Sequence, residues 1–339
     1  WYNRTTSDIL TTANLPATLG ADAPYENMGT IQTKGWELAI DYRHTFKNGL
    51  HFGVTASVAD DKTEVTKWTY NTKIPSYGAT GWWDKSAYKE GMVLGHIWVL
   101  QFDLFLTEDD FNADGSLKAG LPDQTKVFPA GYQFAPGDVL YKDLDNNGEI
   151  VKQTNTNDKG DLSVIGNALP RLQFGLNLDA AWKGFDISMF FQGVAKRKLW
   201  AAGNQVLPGF TTGEPFYKGA EDYWTPENTD AFYPRPMDYK QSASGNYSVN
   251  DRYLLNMAYL RLKTFTVGYS LPKVWLSKFK VQGLRVYFTG ENLFTIDGVK
   301  PAIDPEIGIR TASGKSDQRN FGRSYPYQKT VSFGIQLSL

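Results

Sequence analysis

The sequence predicts an all-β chain whose strands form part of a transmembrane antiparallel β-barrel, and three observations lead there. Segments of about ten residues alternate apolar and polar side chains with period two. Short turns and long loops join these segments in alternation. No apolar run reaches the 18 or so residues that a membrane helix needs. The final segment shows the pattern most plainly: Val331, Phe333, Ile335, Leu337 and Leu339 are apolar, while Ser332, Gly334, Gln336 and Ser338 between them are small or polar. Such a strand has one greasy and one wet face. A soluble sheet lays the greasy face on a core, whereas a barrel in a bilayer turns it to lipid and leaves the wet face to a watery lumen.

Composition narrows the function classes. The 339 residues carry a net charge of −1, which gives no electrostatic footprint for nucleic acid or for an anionic membrane surface. There is no cysteine, so disulfide frameworks and thiolate metal or redox sites are excluded. His44, His51 and His96 do not cluster, which argues against a zinc centre. The chain opens at Trp1 without an initiator Met or a signal-peptide pattern, so it is expected to be a piece of something longer.

Taken in order, residues 1–8 read as the tail of a strand, followed by a polar loop to about Thr30. Trp36, Leu38, Ile40 and Tyr42 then alternate with Glu37, Ala39, Asp41 and Arg43. Lys47-Asn48-Gly49 reads as a tight turn, Asn-Gly being the favoured pair where both central residues need φ > 0. Leu50, Phe52, Val54, Ala56 and Val58 return in register. A second hairpin sets Leu172, Phe174, Leu176, Leu178, Ala180 and Trp182 before a turn at Lys183-Gly184, and Phe185, Ile187, Met189 and Phe191 after it. A third runs through Phe265, Val267, Tyr269 and Leu271, turns over Pro272 to Gln282, and returns through Leu284, Val286 and Phe288.

The connections are lopsided. Those at 47–49, 183–184 and 272–282 are short, and those at about 60–170, 198–256 and 297–326 are long and rich in Gly, Pro, Asp, Asn and aromatics. Short turns on one rim and long loops on the other describe an outer-membrane barrel. The expected crossings are 33–46, 50–59, 171–182, 185–197, 258–271, 283–295 and 327–339. Parity leaves 91–106 at the outer rim or in a strand extension. Trp36, Tyr42, Phe46, Trp182 and Phe185 suit an interfacial girdle. Open strand edges are not tolerated in lipid, so the rest of the barrel is expected upstream.

Several motifs then follow one another in a familiar order. They are Asn27-Met28-Gly29-Thr30 with Thr33-Lys34-Gly35-Trp36-Glu37-Leu38; Gly91-Met92-Val93-Leu94-Gly95 with Phe102-Asp103-Leu104-Phe105; and Pro136-Gly137-Asp138 through Asp143-Leu144-Asp145-Asn146-Asn147-Gly148-Glu149-Ile150. Ile165-Gly166-Asn167-Ala168-Leu169-Pro170, Tyr223-Trp224-Thr225-Pro226-Glu227-Asn228, Leu260-Arg261-Leu262, Glu291-Asn292-Leu293-Phe294 and Asp304-Pro305-Glu306 complete the set. Over essentially its whole length the chain resembles the C-terminal part of the SusC/RagA-type TonB-dependent transporters of Bacteroidota outer membranes. It departs from that pattern in a Gly-poor rim motif at Asp103, an insertion at about 152–160 and a terminal Leu339 in place of Phe. The resemblance implies one C-terminal portion, 1–339, of a 22-strand barrel, with the plug domain outside this chain. It implies import of an oligosaccharide or peptide together with a SusD-like surface lipoprotein. Drive would come from a TonB-ExbB-ExbD complex acting on the N-terminal region, with outer-membrane lipid around the wall.

The site candidates lie in the loops. Asp143, Asp145, Asn147 and Glu149 around Gly148 resemble the front of a calcium loop, where alternate oxygen ligands surround a hard cation. An EF-hand would close with Glu where Asn155 stands, so Asp158 or, better placed before Ile165-Gly166, Asp161 would supply the closing carboxylate. The bland alternative is a solvated acidic turn. Trp82, Trp83, Trp200, Tyr217, Tyr223, Trp224, Phe232 and Tyr233 are candidates for stacking on sugar rings, against the alternative that they pack loops together. Asp41, Arg43, Asp179, Asp186, Arg285 and Glu291 are expected in the lumen, guiding solute or forming ladders across strands. No Ser-His-Asp order, phosphate loop or His-metal cluster stands out, so no enzyme and no required cofactor is expected. The competing readings are a soluble secreted β-sandwich that binds or cleaves carbohydrate, and a smaller passive porin.

Overall fold

A computed structural model describes residues 1–12, 24–69, 89–152, 159–201, 203–210, 216–237, 245–279, 281–300, 303–306 and 325–339. In chain order the strands are β1 (Tyr2–Thr12), β2 (Tyr25–Thr45), β3 (His51–Trp68), β4 (His96–Val99), β5 (Phe102–Phe105), β6 (Val139–Tyr141) and β7 (Ser163–Asn167). They continue with β8 (Arg171–Trp182), β9 (Phe185–Lys196), β10 (Lys198–Leu199), β11 (Leu255–Asn256), β12 (Tyr259–Ser270), β13 (Gly283–Asp297) and β14 (Thr330–Ser338). Eight of them form one sheet in the order β1-β2-β3-β8-β9-β12-β13-β14, every neighbouring pair antiparallel. It is a single eight-stranded wall rather than two packed sheets, which argues against the sandwich alternative.

Register puts the alternation to use. Leu38 stands opposite Val58 and Val58 opposite Phe174; farther along, Ile187, Val267, Phe288 and Phe333 line up across four strands. This face is bare: Ile40 is 56% exposed, Phe333 83% and Ile335 73%. A contiguous apolar face of that size left open is the lipid face of a membrane wall. Trp36, Tyr42, Phe46, Trp182 and Phe185 are exposed at its ends. The opposite face is polar and cross-linked, Thr55 donating to Asp41 at 2.6 Å, Arg285 to Asp186 at 3.0 Å, and Thr266 meeting Thr289 at 3.2 Å. These lumen charges form ladders between strands.

The buried core is not under the wall. Among the largest fully buried side chains, Tyr141, Tyr253, Ile97, Leu100, Leu106, Ile150, Leu162, Leu207 and Met257 all come from the long connections. One cluster gathers Ile97, Leu199, Trp200, Tyr233, Tyr247 and Tyr253, and another Leu100, Phe128, Tyr141, Ile150, Leu162 and Trp224. The two long loops are stitched to each other: Leu100 N–H donates to the Val249 carbonyl at 3.0 Å, and Val139 N–H to Asn246 Oδ1 at 2.8 Å. Asp138, fully buried, accepts from Arg235 Nε at 2.8 Å and Asn246 Nδ2 at 2.9 Å. The loops are thus a folded cap with its own interior.

Three expectations change. Residues 25–30 are strand, not loop, and β3 runs to Trp68; these ends lie beyond the lipid band, so they carry no alternation to betray them. β1 reaches Thr12 and pairs only with residues 25–35. The 91–106 stretch, by contrast, stays at the outer rim where parity leaves it: it forms β4 and β5, which pair with β7 and β6 inside the cap, while Val93 bridges to Glu64 of β3. At Asn48-Gly49 only Gly49 has positive φ, at 82°; the pair with both residues at positive φ is Lys183 (48°) and Gly184 (88°). That two-residue loop is the I′ type. The turn at 272–282 contains one short helix, α1 (Lys273–Leu276).

Candidate solute pocket and cation loop

Three of the candidate aromatics meet around one cavity of about 430 Å³, where Tyr217, Tyr223 and Tyr233 stand among Pro208, Pro234 and Pro236. The Tyr223-Trp224-Thr225-Pro226-Glu227-Asn228 stretch builds its wall. Asn228 N–H closes a turn onto Thr225 O at 2.9 Å, and Asn228 Nδ2 holds the Tyr223 carbonyl at 3.2 Å. Trp224 N–H donates to Tyr233 O and Tyr233 N–H to Asp222 O, each at 2.9 Å, so the two sides of the turn are zipped together. Tyr217 and Tyr223 offer open faces, at 38% and 40% exposure. Tyr233 is buried, donates its hydroxyl to Val206 O at 2.9 Å, and has that hydroxyl pushed up to about 12 by burial, with the charge of Asp222 adding. Lys218 and Glu221 bring one charge of each sign to the lining. Flat rings, prolines and a few polar groups suit a solute that presents both an apolar face and hydroxyls or amides.

The other candidates go elsewhere. Trp200 and Trp224 are buried in the two cap clusters, 2% and 6% exposed, and Phe232 packs against the first of them. The two tryptophans hold the loops together, while Phe232 stays partly open and lines a smaller cavity beside Arg252 and Leu254. Trp82 and Trp83 lie outside the described residues.

The acidic loop brings Asp143, Asp145 and Asp161 together, with ligand oxygens all within 4.8 Å of one another. Asp143 accepts Asn146 N–H and Gly148 N–H, both at 2.7 Å, around a backbone with Asn146 at φ 59° and Gly148 at φ 86°. Asp161, fully buried, accepts Leu144 N–H and Val151 N–H at 2.8 Å each and so ties the two arms of the loop. Burial raises the Asp145 carboxyl, Asn147 N–H opposes that, and the charges of Asp161 and Asp143 add to the rise. Asp143 moves the other way: desolvation would raise it, but the N–H groups of Gly148 and Asn146 hold it below the usual carboxylate range. Asn147 turns its carbonyl oxygen to Glu149 N–H at 2.7 Å and its amide to Asp145. Glu149 points away and pairs with Lys126. Three of the five expected ligands therefore converge. Asn155 and Asp158 lie outside the described residues.

Sequence reasoning missed a second polar centre, where the last long loop returns to the wall. Arg261 of β12, 3% exposed, donates to Asp304 at 2.7 Å, Glu306 at 2.8 Å and Thr295 at 2.8 Å. Lys263 adds a contact to Glu306 at 3.0 Å, and Tyr327 N–H donates to Asp304 at 3.1 Å. The signal was an arginine at a strand position beside two leucines, and an Asp-Pro-Glu far along the chain; nothing local joins them.

No family model matches the chain. It is 26% identical over 349 residues to TonB-dependent receptor P3 of Formosa agariphila, covering 99% of this chain and 32% of that one. Against TonB-dependent receptor P26 of the same organism it is 25% identical, covering 100% and 32%. Against TonB-dependent receptor SusC of Bacteroides thetaiotaomicron it is 23% identical, covering 100% and 29%. The fold superposes on the RagAB peptide importer in its open-open state with a TM-score of 0.64 at 17% identity, covering 99% of this chain and 32% of that one. The closed-closed state gives 0.62 at 19%, with the same coverage. The chain spans about a third of the length of these relatives. With the wall and motifs above, the chain is similar over its whole length to a C-terminal part of these TonB-dependent receptors, and its wall is that of an outer-membrane β-barrel.

Proposed function

We propose that the protein carrying this chain imports a nutrient across the outer membrane, driven by a TonB-ExbB-ExbD complex and assisted by a SusD-like surface lipoprotein. The observation that carries this reading is the combination of a lipid-facing wall with a rigid extracellular cap holding a tyrosine- and proline-lined pocket. A pore alone needs no packed interior in its loops. An oligosaccharide fits the pocket better than a peptide, because Tyr217 and Tyr223 offer open ring faces while the lining cations and anions balance at Lys218 and Glu221. No chemistry on the solute is required, and no cofactor.

Uptake of labelled oligosaccharides and of labelled peptides of matched size, in cells lacking the receptor or the adjacent lipoprotein, tests the reading. Oligosaccharide uptake is expected to vanish with the receptor and to stop when the proton gradient is collapsed. Uptake that survives the collapse would make the protein a passive porin, and peptide uptake alone would reverse the choice of solute.

The acidic loop is read as a structural calcium site. Asp143, Asp145 and Asp161 supply oxygens for a hard cation, and a divalent ion would relieve the carboxylate repulsion that adds to the effect of burial on Asp145. Its role would be to clamp the Asp143–Gly148 turn against Asp161.

A further inference from the structure

A second cavity, of about 520 Å³, opens where β7, β8, β9 and β10 approach one another. Its lining is unlike that of the tyrosine pocket. Arg171, Lys196, Arg197 and Lys198 face it, with Asp60 as the one carboxylate and His96 at its edge. Asp60 is already spoken for, since Arg171 Nη2 donates to it at 2.7 Å in a two-pronged pair. Among the described residues Arg197 finds only neutral acceptors, the Ala168 carbonyl at 3.2 Å and the Pro305 carbonyl at 3.3 Å. Among the described residues Lys196 and Lys198 make no ion pair. The nearby carboxylates of Asp304 and Glu306 are consumed by Arg261 and Lys263.

Cations gathered in a cleft without matching carboxylates repel one another, and a low-dielectric wall strengthens that repulsion. Burial, with Lys62 and Arg171 beside it, holds His96 below its usual pKa, so the imidazole stays neutral near pH 7 and adds no further charge. Gly166 in the lining lies against the Lys198 stem, where a β-carbon would come within 2.5 Å of the Lys198 Cβ. The bare backbone there lets β10 close over the cavity. Val164 and Ile165, 38% and 39% exposed, leave an apolar lip at the mouth.

From this juxtaposition we infer that the cleft between β7 and β9 is an oxyanion site, taking the sulfate, carboxylate or phosphate of an anionic ligand on Lys196, Arg197 and Lys198 beside the closed Arg171–Asp60 pair. Arginine pairs with planar or tetrahedral oxyanions through two parallel N–H donors, and lysine follows as a mobile point charge. The volume admits one charged ring of a larger chain. The anion comes either from an acidic solute or from the phosphate of an outer-leaflet glycolipid. Only the first source depends on the import reading.

The test uses the intact receptor, stripped of lipopolysaccharide in detergent. Binding of a sulfated heparin hexasaccharide, of neutral maltohexaose and of Kdo2-lipid A is measured by thermophoresis at low and high salt. The variants are Lys196→Gln/Lys198→Gln, the charge reversal Lys198→Glu and the surface control Lys118→Gln, each checked for folding by heat-modified gel mobility. The hexasaccharide is expected to bind at least tenfold more tightly than maltohexaose, to weaken with salt, and to lose about tenfold in the double variant and more in the reversal. Lipid A binding through the same lysines, without the hexasaccharide, identifies the headgroup as the source. Equal binding of charged and neutral sugars, or equal losses in Lys118→Gln, overturns the site. Gradient-dependent uptake of nutrient by the same variants is a separate readout, so the import reading survives or falls on its own.

Discussion

Replacing Arg261 by methionine keeps most of the side chain's volume and removes its charge. Asp304 is left 4% and Glu306 10% exposed, without the guanidinium that bridges them. Breaking a buried ion pair costs about 3–5 kcal/mol when a charge is stranded. Here Lys263 still reaches Glu306, and Asp304 keeps the N–H groups of Glu306 at 3.0 Å and Tyr327 at 3.1 Å. The loss therefore falls on one partly compensated carboxylate, and we place it at about 2–3 kcal/mol. At about 1.36 kcal/mol per decade this is a drop of about 30- to 150-fold in the exchange protection of the Glu306 and Tyr327 amides, up to the free energy of local opening. Hydrogen exchange by mass spectrometry on the intact receptor reads it. In the wild type, burial raises the Asp304 carboxyl but Arg261 and the two N–H groups hold it below the usual range. Its stabilisation is thus full above the ordinary carboxylate pKa and fades as pH falls through the depressed value. Without Arg261 the sign reverses: the stranded carboxylate takes up a proton more readily, so protection in the variant recovers as pH is lowered toward 5. Adding Asp304→Leu to Arg261→Met also removes the acceptor of those two amides, so the double variant is read by melting temperature, which should regain part of the loss. Unchanged protection in the single variant, or a further fall in melting temperature in the double, would refute the reasoning.

Other perturbations read other parts of the molecule. Ile335→Arg, on the lipid face, should cost about 2–4 kcal/mol near mid-membrane and deplete the heat-modifiable folded band on gels, whereas Gln336→Arg on the lumen face should not. Gly184→Ala places a β-carbon 2.7 Å from the Ser270 carbonyl at φ 88°, so barrel assembly should slow by more than the roughly 1 kcal/mol of an ordinary glycine replacement. Calcium should raise the melting temperature of the intact receptor, and Asp161→Asn should abolish the rise. The effect should shrink as pH falls, because Asp145 has a raised carboxyl: protonation of that group stabilises the apo loop at low pH and competes with the ion. Tyr217→Ala and Tyr223→Ala should weaken solute binding with the melting temperature unmoved; Trp200→Ala, in the cap interior, should cost about 3–5 kcal/mol of stability instead.

What could be read from the sequence was the part of the molecule in contact with lipid. Alternation is forced there, because one face meets hydrocarbon and the other water, and each crossing carries that record in its own residues. The ends of β2 and β3 escaped notice because both of their faces are polar or partly covered; Lys34 opposite Lys62 and Gln32 opposite Glu64 carry no contrast. The cap was opaque for a different reason. Its interior is made by contacts between distant segments, such as Leu100 with Val249, and no local period announces which aromatic is inside. Tyr217 and Trp200 look alike as loop aromatics, yet one lines a pocket and the other fills a core. The acidic loop was legible because its glycine and alternate oxygens are neighbours in the chain, and Asp161 because it precedes the next strand. Arg261 and Asp304, forty-three positions apart, share nothing but the fold.

The length of β2 sets a height. From Trp36, at the upper edge of the lipid band, residues 25–35 continue upward as paired strand. At about 3.3 Å per residue that is roughly 36 Å of strand, or about 27 Å of elevation at a tilt near 40°. The wall is therefore a parapet as well as a membrane crossing. Whatever settles on the cap does so well clear of the headgroups, out of reach of the membrane's own charge at physiological salt, where fields fade within about 8 Å. Under the proposed import, a covering lipoprotein would need a long tether to be anchored in the same leaflet, and a solute released beneath it would pass along this wall before it reached the level of the lipid.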